Sequence, residues 1–74
     1  MKLTEFRRAV DDEFGRMAPV LLRDTVVVAL GNRTADEALA AGVPARDVWL
    51  ALCRAEGVPP ARWYGAGRPD PRDA

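Results

Sequence analysis

From Leu3 to Phe14 the apolar residues Leu3, Phe6, Val10 and Phe14 recur at spacings of three and four, with Arg7, Arg8, Asp11, Asp12 and Glu13 between them. That spacing predicts an amphipathic helix over Leu3 to Phe14, with Thr4 able to cap its start, Glu5 suited to the positive end of the dipole, and Gly15 able to end it. Pro19 is tolerated in a first turn, and Val20, Leu21, Leu22, Val26, Val27, Val28, Ala29 and Leu30 follow as a segment apolar almost all round. A central buried helix is expected from Pro19 to Leu30. The three consecutive valines favour a strand in isolation, but no partner strand is visible elsewhere in the chain, and helix is the reading adopted.

Thr34-Ala35-Asp36-Glu37 has the T-x-x-E pattern of a capping box, so a short helix is expected from Ala35 to Ala41. Gly42-Val43-Pro44 reads as a cap, a hydrophobic residue and a restart. A further helix is expected from Ala45 to Glu56, with Val48, Ala51, Leu52 and Ala55 on one stripe, Trp49 and Cys53 beside it, and Arg46, Asp47, Leu50 and Arg54 outward. Gly57 and Val58-Pro59-Pro60 stop it. Ala61-Arg62-Trp63-Tyr64 can add one turn that folds back, because two adjacent aromatics are costly to leave in water. Gly65 to Ala74 contains no hydrophobic residue larger than alanine and is expected to be disordered.

The fold expected is therefore all-α. A single domain over 1–64 forms a compact bundle of about four short helices, the last two arranged like a helix-turn-helix, and 65–74 is a disordered tail. Its expected core contains Phe6, Val10, Phe14, Leu21, Val27, Leu30, Leu39, Val48 and Leu52.

Composition narrows the function. A chain of 74 residues buries little more than about 60% of its unfolded surface, enough for one core but hardly for a deep cleft. Eleven basic and eleven acidic residues cancel and are interspersed, so no whole-molecule field draws the chain to nucleic acid or an anionic membrane. There is no histidine, serine or glutamine, and Cys53 is the one cysteine. That inventory removes Ser-His and Cys-His nucleophile pairs and the usual imidazole or multi-thiolate metal sites. No enzyme activity, cofactor, metal or catalytic residue is expected. The longest apolar run, Val26 to Leu30, is far short of the roughly 20 residues that cross a bilayer. Met1-Lys2-Leu3-Thr4-Glu5 has no secretory pattern, and a cytoplasmic location is expected.

Three constellations bear on binding. Ala38, Gly42 and Val48 have the spacing of a helix-turn-helix, whose second helix enters the major groove in DNA-binding proteins. Any tightly turned helix pair has the same needs, and the outward set offers Arg46 and Arg54 against Asp47 and Leu50, which is thin for a helix meeting phosphates. Leu50 beside a partly exposed Trp49, with Trp63 nearby, suits a protein partner better. Asp11-Asp12-Glu13 point in different directions on a helix and are read as a solvated face with ion pairs such as Arg7 with Asp11 or Arg8 with Asp12. Cys53 reads as an unreactive core thiol. Asp24, in the middle of the expected second helix, would need a partner such as Arg33 or a backbone amide.

Lys2-Leu3-Thr4-Glu5-Phe6, Arg23-Asp24, Ala29-Leu30-Gly31 with Arg33-Thr34, Glu37-Ala38-Leu39-Ala40-Ala41-Gly42-Val43, and Asp47-Val48-Trp49 with Cys53 occur in order over Met1 to Pro60. In these motifs the chain resembles a short actinobacterial family, domain of unknown function 3046. The resemblance implies a compact helical protein of the cytoplasm, often encoded near the DNA recombinase and its regulator, and it implies no established activity. The chain departs from the family's pattern at Arg7, where tryptophan is usual, and at Thr25, where histidine is usual. The expected function is a non-catalytic protein-interaction module using Trp49, Leu50 and Trp63. The alternative is a helix-turn-helix-like DNA-binding or DNA-repair accessory module using Arg46 and Arg54.

Overall fold

The computed structural model describes residues 1–63. Helix α1 runs Leu3–Phe14 and turns Phe6, Ala9 and Val10 inward. Its cap is Lys2 rather than the expected Thr4: the Lys2 backbone N–H donates to the Glu5 carboxylate at 3.0 Å, so Glu5 satisfies a donor that the helix leaves free. A 3-10 turn over Gly15–Met17 leads into α2, Ala18–Asp24, with Pro19 in its first turn and Ala18, Leu21 and Leu22 buried.

The chain then departs from the helix expected over Pro19 to Leu30. Backbone at Thr25 is extended, and Val26–Val27 (β1) pairs antiparallel with Arg33–Thr34 (β2), Val26 opposite Thr34 and Val27 opposite Arg33. A 3-10 turn over Val28–Leu30 and positive φ at both Gly31 and Asn32 close the hairpin. Exposure along the valines has the two-residue period of a strand: Val26 is 57% exposed, Val27 2% and Val28 80%. The β-branched preference of the valines prevails because the turn brings a partner within reach, one whose polar sequence gives no strand signal. The described chain is thus mostly helical with a small two-stranded sheet, and the all-α expectation fails in this segment. Asp24 consequently ends a helix instead of lying within one, and is exposed beside Arg23, whose Nε lies 3.1 Å from its carboxylate.

Thr34 closes β2 and caps α3, Ala35–Ala40. Its hydroxyl accepts from the Glu37 N–H at 3.1 Å while its own N–H donates to the Glu37 carboxylate at 2.8 Å, the reciprocal box expected from the sequence. Helix α4 covers Ala45–Ala55. Both α3 and α4 end in the same way. The N–H groups of Gly42 and Val43 reach back to Leu39 and Ala38, and those of Gly57 and Val58 to Arg54 and Cys53. These are Schellman closures, in which a glycine at positive φ turns the chain and the following valine packs inward. Proline then blocks continuation, and a 3-10 turn over Pro60–Arg62 brings Trp63 back toward the fold.

One hydrophobic cluster gathers residues from all four helices, Val27 of β1, Leu30 of the following turn and Val58. The expected core residues are buried except Phe14 and Leu39, which pack against it from the edge. Ala9, Ala18, Ala35 and Ala38 let the backbones approach closely. No helix among the described residues is long and apolar enough to cross a membrane.

Candidate interaction surface on α4

Helix α4 is enclosed on more of its circumference than its stripe predicts: Val48, Trp49, Ala51, Leu52 and Cys53 are all buried. Trp49, expected to be partly exposed, is 1% exposed and is among the largest fully buried side chains. Its ring meets Phe14 edge-on, with centroids 6.4 Å apart, which joins α4 to the end of α1. Its indole N–H donates to the backbone carbonyl of Trp63. Trp49 is thus a structural anchor and not the partly exposed partner contact expected from the sequence.

Trp63 is half-buried over the same region. Its indole N–H donates to the Val58 carbonyl at 2.8 Å, and the Arg54 guanidinium lies 5.2 Å from the ring centroid in a cation–π contact. A further tie joins the Arg62 Nε to the Glu13 carboxylate at 3.2 Å. Trp63 therefore folds back as the sequence allowed. Tyr64 and the expected tail 65–74 lie outside the described residues.

Leu50 is half-buried and packs against the core from the outside. Together with Ala29, Leu30, Val43, Asp47, Ala51 and Arg54 it lines an open groove of about 340 Å³ between α4 and the hairpin turn. The floor is aliphatic, and Asp47 and Arg54 stand at opposite ends of the stripe that carries Leu50. A second hollow of about 370 Å³ has Ala18, Pro19 and Leu22 at its base and alternates Arg7 and Arg23 with Asp11 and Asp36, so it presents no net charge.

Arg46 is exposed on α4, as expected. Ala38 and Val48 are fully buried, α3 and α4 pack against each other, and Gly42 turns between them at φ 93°. Cys53 is buried within the core. The Asp11-Asp12-Glu13 run does not converge, and among the described residues no three His, Cys, Asp or Glu side chains gather as metal ligands. The ion pairs among the described residues are Arg23–Asp24 and Arg62–Glu13, in place of the α1 pairs expected from spacing. The Thr34 backbone N–H, then its hydroxyl, hold the Glu37 carboxyl below its ordinary value. The neighbouring Arg23 guanidinium does the same to Asp24, chiefly by hydrogen bonding.

These features define a small, mostly helical domain whose last two helices form a tightly turned pair and whose following turn covers a buried tryptophan. The chain belongs to the family described as "Protein of unknown function (DUF3046)", whose sequence model matches residues 1–61. No curated protein and no solved structure matches it. Trp63 lies just beyond the matched stretch.

Proposed function

We propose that this chain is a non-catalytic cytoplasmic interaction module that binds a protein partner through the face of α4 centred on Leu50. One observation carries the reading: Leu50 stands half-open in an aliphatic groove, while both neighbouring tryptophans are engaged within the fold. An aliphatic floor with a single charge of each sign at its ends favours an apolar contact with a polar rim, the usual anatomy of a protein interface. The hairpin adds Val26 and Val28, both well exposed, to the apolar surface of the molecule.

The helix-turn-helix-like geometry of α3 and α4 supports a second reading, DNA binding through Arg46 and Arg54. It is the weaker one because Asp47 lies between the two arginines along α4 and repels phosphate. Affinity capture from a native lysate, with and without nuclease, separates them. In the protein-binding reading, Leu50→Asp removes the captured partner, since an unpaired carboxylate in an apolar contact costs several kcal/mol, and Arg46→Ala with Arg54→Ala has little effect. Duplex binding that weakens steeply with salt, is lost in the arginine double variant and survives Leu50→Asp would reverse the ranking.

A further inference from the structure

Asp47, Leu50, Ala51 and Arg54 lie at relative positions 0, 3, 4 and 7 of α4 and share one stripe. The two charges have opposite sign and are about 10 Å apart along the axis. Midway between them sit Leu50 and Ala51, a large half-buried side chain next to a small one. A two-fold axis through this midpoint, with a second α4 running antiparallel, brings Asp47 opposite Arg54 at both ends and seats each Leu50 over the other copy's Ala51. We propose that this face pairs with a second copy of the chain in this way, as an isologous α4–α4 contact. The proposal rests on the reading of this face as an interaction surface, and names its partner.

Three observations favour a second copy over an unrelated chain. The stripe is complementary to itself in charge and in size, which an unrelated partner does not require. The molecule has no net charge, so two copies meet without long-range repulsion. Arg54 is exposed, with its guanidinium carbon 5.2 Å from the Trp63 ring centroid, and remains open to a carboxylate. Ala29, Leu30 and Val43 border the stripe and widen the apolar contact. A helix of 11 residues offers a short contact, so the dimer is weak and forms at high concentration.

Sedimentation equilibrium of the full chain, from tens of micromolar to about 1 millimolar, tests this. The wild type should shift from monomer to dimer over that range. Leu50→Asp should remain monomeric, and Asp47→Arg should raise the dissociation constant by roughly tenfold or more. Adding Arg54→Asp to Asp47→Arg should recover most of that loss, with circular dichroism confirming that each variant is folded. Leu50→Cys under mild oxidation should give a covalent dimer linked at position 50. A wild type that stays monomeric throughout overturns the proposal, as does a dimer indifferent to Leu50→Asp, a folded double variant no better than Asp47→Arg, or a Leu50→Cys protein that fails to cross-link. If the wild type is monomeric and Leu50→Asp still abolishes capture of a different protein, the self-pairing falls while the interaction face stands.

Discussion

Trp49 joins three parts of the chain through one side chain: Phe14 at the end of α1, its own helix, and the carbonyl of Trp63. Trp49→Ala should cost roughly 3–5 kcal/mol in urea denaturation, close to the whole stability of a domain this small. Trp49→Phe keeps most of the apolar contact but leaves the Trp63 carbonyl without its donor, and should cost about 1–3 kcal/mol. A Trp49→Phe protein as stable as the wild type would show that the hydrogen bond contributes nothing. The sequence placed Trp49 beside the buried stripe because periodicity detects one facing layer, whereas α4 is covered on one side by the bundle and on another by the turn after Gly57. No pattern within residues 45–56 reveals that second cover. The signal available was the fold-back of Trp63 itself, which needs a surface to land on.

Among the elements, α1, α3 and α4 were legible almost to the residue because their apolar spacing, the T-x-x-E box and the two Gly-Val-Pro stops all point the same way. The hairpin was not, because β2 is the dipeptide Arg33–Thr34 and carries no strand pattern of its own. Its registration depends on the turn at Gly31 and Asn32. The α3 box gives two predictions. Thr34→Ala should lower stability by about 1 kcal/mol in denaturant titration, by removing the acceptor for the Glu37 N–H. Glu37, whose folded carboxyl titrates below the ordinary 4.5, contributes stability that is present above 4.5 and lost as pH falls through its lowered folded value. Melting temperature plotted against pH should therefore drop on that acid flank in the wild type and drop less in Glu37→Gln.

For the whole molecule, the turn from Val58 to Trp63 completes a fold that the helices leave open along one side of α4. It is held by Val58 in the core, by the two indole hydrogen bonds, by Arg54 against the ring, and by Arg62 with Glu13 on α1. Trp63→Ala removes a ring packed against the core and gives up its hydrogen bond to Val58, and should cost about 2 kcal/mol by calorimetry. A loss within a few tenths would mean that the turn lies on the surface without holding it. The candidate site was legible at Asp47, Leu50 and Arg54, whose outward positions follow from the helix period. The groove beside Leu50 depends on where the hairpin turn lands, and that is set by contacts far apart in sequence.

Both tryptophans of the chain take part in contacts at that turn, so its tryptophan fluorescence reports on the turn. Emission from an enclosed indole lies to the blue of one in water, so a red shift should report the lifting of the turn before the helices melt. The Trp49 indole proton, held by the Trp63 carbonyl, should exchange with deuterium at a rate set by that same opening. The protein thus carries its own optical gauge of whether residues 58–63 are seated, readable without any added label.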